Sequence, residues 1–151
     1  MYSGHADWTE SAAVVEAQEV PVVGKGHVRP GEDALRMREE TGCAGIMIAR
    51  GSHGRPWLFR QARAALDGEP IPPEPDVAER FAVVLEHARN AIAFERDEAR
   101  AMIEFRKHLG WYTKGLPDGR SFRQELFTVS SLREAEERLD GYLRRVEQRV
   151  A

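Results

Sequence analysis

Four prolines fall within six residues at Pro70-Ile71-Pro72-Pro73-Glu74-Pro75. Proline fixes φ and removes a backbone donor, so this stretch can be neither the interior of a helix nor a central strand. It divides a chain of 151 residues into pieces that must each find a core. The expected organisation is a first segment over 1–66, a stiff linker over 67–76 and a second segment over 77–151. Charge changes across the same point: residues 1–76 hold 8 basic and 12 acidic side chains, and residues 77–151 hold 14 and 13. A hydrophobic content of 42% argues against wholesale disorder. No apolar run approaches the ~20 residues of a membrane span, and the N-terminus has no cationic stretch leading into an apolar core. The single cysteine, Cys43, excludes an internal disulfide. A soluble cytoplasmic protein without membrane contact is the expectation.

The first segment carries two short apolar runs, Val20-Pro21-Val22-Val23-Gly24 and Ala44-Gly45-Ile46-Met47-Ile48-Ala49. Their apolar residues are successive rather than alternating, which suits strands covered on both faces, as in a parallel sheet. Between them, residues 30–42 read as a helix, with Pro30 near its start, acids in the first turn and Gly42 as its stop. Another helix, about Trp8 to Gln18, precedes the first run. The order α-β-α-β is the repeat of an open α/β sheet or a β/α barrel. Two strands complete neither: their edges are left unpaired, and a full barrel takes ~250 residues. Unless more sheet covers them, residues 1–66 are expected to be poorly ordered, aggregated or paired with a second copy through the exposed strands.

Both runs end in glycine-bearing loops that open toward a helix, Gly24-Lys25-Gly26-His27-Val28 and Ala49-Arg50-Gly51-Ser52-His53-Gly54-Arg55-Pro56-Trp57. Glycine lets backbone N–H groups approach a phosphate, and Lys25 and Arg50 add positive charge. Glycines also serve simply to turn the chain, and loop chemistry alone leaves both readings open.

In the second segment Val77, Phe81, Val84, Leu85, Ala88 and Ile92 lie on one helical face, after an Asp76/Glu79 capping pair. A second helix is expected over about Asp97–Tyr112, a shorter one over Gly119–Phe127, and a third long one from Ser131-Leu132-Arg133-Glu134, a capping-box sequence. This is a small helical bundle. At about 100° per residue, Arg100, Lys107 and Lys114 share a stripe beside Trp111 and opposite the apolar face. Residues 100–123 hold six basic side chains, Arg106, Arg120 and Arg123 among them, against Glu104 and Asp118. A basic face with an aromatic suits phosphate contact and base stacking, although composition alone favours a merely solvated face.

The ordered series Tyr2-Ser3-Gly4-His5-Ala6-Asp7-Trp8, Val20 to Gly26, Thr41 to Gly51, Gly54-Arg55-Pro56-Trp57-Leu58-Phe59 and Arg106-Lys107-His108-Leu109-Gly110-Trp111-Tyr112 resembles the C-terminal portion of the tRNA-dihydrouridine synthase family. The likeness is to the bacterial branch related to the nitrogen-regulation protein family, and it covers nearly the whole chain. It implies a fold of α/β plus all-α class: the last two β/α units of a TIM (β/α)8 barrel, followed by a small helical tRNA-binding domain. It implies FMN as cofactor, NADPH as reductant, and reduction of a tRNA uridine to dihydrouridine. The family's Asn-Gly-Asp triplet at the FMN phosphate matches Lys25, Gly26 and His27, and its Gly-Arg pair matches Ala49 and Arg50. Lys25, His27 and Ala49 depart from that pattern, which puts FMN affinity in question. The family's Arg-Lys-His and Trp-Tyr signature turns the basic face into an expected tRNA contact, with Arg100, Arg106, Lys107, Trp111 and Lys114 as its residues.

In the family the catalytic cysteine and the flavin-ring pocket lie upstream of the matched region, so the resemblance assigns no catalytic residue here. Cys43 reads as a small buried hydrophobe, and the scattered histidines give no metal site. This chain alone is therefore expected not to reduce uridine without the remaining half of the barrel. The match begins inside a family motif, which favours Met1 as an internal methionine of a longer frame. The alternative is a stand-alone RNA-binding helical module derived from the enzyme.

Overall fold

The computed structural model describes residues 7–150; the stretch Tyr2–Ala6, part of the resemblance above, lies outside the described residues. The chain divides into two compact units, Met1–Glu74 and Pro75–Ala151. Among the described residues there are seven α-helices and two parallel strands. None of the helices is long and apolar enough to cross a membrane.

In the first unit, α1 (Trp8–Ala17) starts at Asp7, whose carboxylate accepts the Thr9 N–H at 2.9 Å. It is followed by β1 (Val23–Lys25), α2 (Glu32–Thr41), β2 (Gly45–Met47), a single 3-10 turn (Arg50–Ser52) and α3 (Leu58–Asp67). Helix α2 stops at Gly42, which takes a left-handed φ of 67° and returns its N–H to the Arg38 carbonyl. The strands pair with Val23 opposite Gly45, Gly24 opposite Ile46 and Lys25 opposite Met47. Val28, Ala34, Met37, Cys43 and Ala62 form the buried cluster, with Trp8, Val15, Ile46, Ile48 and Leu66 packed around it. Gly24 lies so close to this cluster that a Cβ there would sit 2.9 Å from Cys43 Sγ.

The two apolar runs thus shorten to three-residue strands, and only their helix-facing side is covered. Val23 and Met47 are 61% and 53% exposed, and Val20 is 66% exposed. That corrects the expectation of strands buried on both faces: the second face needs another layer, and this unit supplies none among the described residues.

The proline stretch also differs from a free spacer. Proline removes donors but not acceptors, and the Pro72 carbonyl accepts from Gln61 Nε2 at 3.0 Å. The Glu74 carboxylate accepts from Trp57 Nε1 at 2.7 Å and from the Arg55 guanidinium. Residues through Glu74 therefore belong to the first unit.

The second unit is helical: α4 (Val77–Glu95), α5 (Glu98–Tyr112), α6 (Gly119–Leu126) and α7 (Leu132–Val150). Asp76 and Glu79 form a full capping box, each carboxylate accepting the other's N–H at 2.8 and 2.9 Å. Helix α4 ends at Arg96 in the left-handed conformation, and Asp97 caps α5. At α7 the cap is longer than the four-residue box: Ser131 Oγ accepts the Glu134 N–H, but the Glu134 carboxylate accepts from Ser130 N. Glu98 of α5 accepts the Leu132 N–H. Helix α4 packs on α5 and α7, and α6 packs on the same two. Phe105, Phe122, Met102, Leu109, Leu126 and Leu139 are fully buried at its centre. Phe81, Phe122 and Tyr142 make a ring cluster with centroids 4.4–6.1 Å apart.

Candidate functional site

In the first unit the parallel register places Lys25 opposite Met47, so the loops following β1 and β2 leave the same end of the strand pair. Lys25, Ala49 and Arg50 are exposed there, and Gly26 and His27 are half-buried. The two loops touch, because a Cβ on Gly51 would lie 2.1 Å from the Val28 carbonyl oxygen. A Cβ on Gly26 would lie 2.5 Å from the indole nitrogen of Trp8. Both glycines are thus required by packing within the unit, whatever the loops bind. The result is a lysine and an arginine on two adjoining backbone turns, a donor set that matches a phosphate. The fit extends to the phosphate only.

In the second unit, α5 places Lys107, Gly110 and Trp111 on one face at i, i+3 and i+4. They line a groove of about 540 Å³ together with Lys114, Arg123 and Phe127. Three cations and two aromatics meet there without a carboxylate. Of the five residues expected to contact RNA, the structure brings together Lys107, Trp111 and Lys114. The common helical stripe needs correction, since α5 ends at Tyr112 and Lys114 reaches the groove from the turn after it.

Arg100 and Arg106 lie outside the groove. Arg100 pairs with Glu95 at 2.8 Å and Glu104 at 3.6 Å. Arg106 donates to the carbonyls of Val129 at 2.7 Å and Thr128 at 3.3 Å, fastening the α6–α7 turn onto α5. Gly110, Arg123 and Phe127 were missed as site residues. Phe127, expected inside the short helix, falls just after α6, off the face that buries Phe122 and Leu126, and is 48% exposed.

Behind the groove runs a row of rings. Trp111 meets His108 edge-on at 4.9 Å, His108 meets His87 at 4.8 Å, and His87 Nδ1 lies 3.2 Å from the Tyr112 hydroxyl. Burial pushes His87 below its ordinary pKa and pushes the Tyr112 phenol up to about 12. Both His87 and Tyr112 are therefore neutral at pH 7. The stretch Arg106 to Tyr112 thus divides its labour: Arg106 clamps a turn, Lys107 and Trp111 face the groove, and His108 and Tyr112 back it. Among the described residues no group of three His, Cys, Asp or Glu side chains could hold a metal ion.

Comparison with known proteins bears on both units at once. A family model described as Dihydrouridine synthase (Dus) matches residues 1–147. A probable tRNA-dihydrouridine synthase of Mycobacterium leprae (strain TN) is 40% identical over 144 residues, covering 93% of this chain and 37% of its own length. One from Mycobacterium tuberculosis (strain CDC 1551 / Oshkosh) is 38% identical over the same shares. The tRNA-dihydrouridine synthase B of Pasteurella multocida (strain Pm70) is 32% identical over 142 residues, 94% of this chain and 42% of its own. The chain therefore belongs to the dihydrouridine synthase family, and it spans about 37% of the length of the first curated relatives it matches.

Proposed function

We propose that this chain is the C-terminal part of a cytoplasmic tRNA-dihydrouridine synthase, supplying one end of a flavin-binding barrel and a helical unit that holds tRNA. The first unit contributes two β/α units; further barrel strands would pair with the open edges of β1 and β2, and the exposed Val23, Lys25 and Met47 face would then line the barrel interior. Lys25 and Arg50 would hold the phosphate of FMN between the two loops, with Gly26, His27 and Ala49 shaping the backbone around it. When bound, the flavin supplies hydride transfer between NADPH and the uracil ring. The chain's own residues at that end bind and orient; none of them is assigned to move a proton.

The observation that carries the reading is the acid-free groove of Lys107, Trp111, Lys114, Arg123 and Phe127 in a chain matched to this family from residue 1 to 147. Cations neutralise phosphates and release counterions, so binding should weaken steeply with salt. The test is anisotropy of a labelled, unmodified tRNA transcript titrated with the full 151-residue chain at several salt concentrations. Binding should fall log-linearly with salt, and Lys107→Ala with Lys114→Ala should reduce the slope by about two. Binding indifferent to salt or to both lysines would overturn the proposal.

A further inference from the structure

We infer that the α5–α6 groove is a receptor for one unpaired nucleotide of the RNA, and that Gly110 sets its shape. This rests on the reading of the second unit as a tRNA contact and narrows it from a charged face to a defined slot.

Gly110 sits inside α5, where glycine is unfavourable relative to alanine. Its missing Cβ has a clear consequence. A Cβ built there would lie 3.2 and 3.3 Å from two ring carbons of Phe127, closer than an aromatic ring ordinarily accepts. The glycine thus allows the Phe127 ring to lie against the helix backbone one residue before Trp111. Two aromatic side chains then line the same groove, with Lys107, Lys114 and Arg123 around them.

This combination is specific in its chemistry. A paired helix offers a protein phosphates and sugar edges, and cations alone satisfy it. Half-exposed aromatics confer nothing on such a contact, because the base faces of a duplex are already stacked. An unpaired base has a free face for an aromatic ring, and its own phosphate lies within reach of nearby cations. The His108 ring meets Trp111 edge-on at 4.9 Å and is itself packed on His87, which supports the indole on the side of the helical core.

The test compares two blunt-ended two-strand RNA duplexes that differ by one bulged nucleotide, each titrated with the full chain by anisotropy at fixed salt. The bulged RNA should bind more tightly. Trp111→Leu and Phe127→Leu should each weaken the bulged RNA by at least about fivefold and leave the fully paired duplex unchanged. Lys107→Gln should weaken both RNAs alike. Gly110→Ala, which should strengthen the helix itself, should reduce the preference for the bulge by displacing the Phe127 ring. Equal binding of both RNAs with intact salt dependence would overturn the slot while leaving the tRNA contact standing. Failure to bind either RNA while the tRNA transcript still binds would overturn the slot alone, and failure to bind all three, with a normal helical circular dichroism spectrum, would overturn both.

Discussion

The two units use similar lengths of chain to reach different degrees of closure. The helical unit buries Phe81, Phe105, Phe122, Tyr112 and Tyr142 at one centre, caps α4, α5 and α7 with side chains, and ties its turns down through Arg106 and Glu98. The first unit buries Val28, Ala34, Met37, Cys43 and Ala62 together with Trp57 and Leu58, yet leaves Val23 and Met47 exposed on a two-stranded sheet and Val20 exposed just before it. A helix pairs its interior backbone groups within itself, has its ends capped by side chains, and needs only one covered face. A strand needs partners on both edges and cover on both faces. Four helices can therefore close a small core alone, whereas a two-stranded parallel sheet leaves its outer edges and one face open.

Removing the centre of the helical unit should break this comparison most severely. Phe122→Ala takes a ring from the Phe81–Tyr142 cluster and should cost about 3–5 kcal/mol, enough to erase a cooperative urea transition in the second unit. Arg106→Ala removes two charge-assisted bonds to the Thr128 and Val129 carbonyls and should cost about 1.5–3 kcal/mol. Urea midpoints measure this, and because Arg106 clamps a turn rather than facing the groove, the salt slope of RNA binding should stay unchanged. Acid sharpens the contrast further. His87 is held below its ordinary 6.5 by burial, so the unfolded chain takes up its proton first. The stability this contributes is present above about pH 6.5 and is lost as pH falls through the lower folded value. The urea midpoint of the second unit should therefore drop between pH 7 and 5, and His87→Gln should flatten that dependence.

The smallest effect belongs to the first unit's clip. Burial raises the Glu74 carboxyl, but hydrogen bonds from Arg55 and Trp57 and the Arg55 charge outweigh it and hold the pKa below the ordinary carboxylate value. The clip is present above that value and is lost as pH falls through the lower folded one. Trp57 fluorescence should report its release, with little change in the second unit. Glu74→Gln should show the released signal already at neutral pH.

Much of this was legible in the residues. The apolar spacing of Val77 to Ile92 and the Asp76/Glu79 pair located α4, and Gly42 marked the end of α2. The proline run located the division of the chain but not its side: hydrogen bonds from Gln61 and Trp57 attach that run to the first unit, and such contacts carry no periodic signal. Charge spacing pointed to Lys107 and Lys114 but equally to Arg100, and the family resemblance added Arg106, because a basic residue reads the same whether it faces solvent, a carboxylate or a backbone carbonyl. Phe127 and Arg123 enter the groove from α6, a tertiary approach that no spacing within α5 could announce.

Hydrogen exchange across the whole 151-residue chain, with and without unmodified tRNA, tests the central claim most directly. The account predicts slow exchange in the central turns of α4, α5 and α7, fast exchange in β1 and β2, and added protection by tRNA concentrated between Lys107 and Phe127. Equal protection of the strands and the long helices, or protection by tRNA confined to residues outside that region, would contradict it.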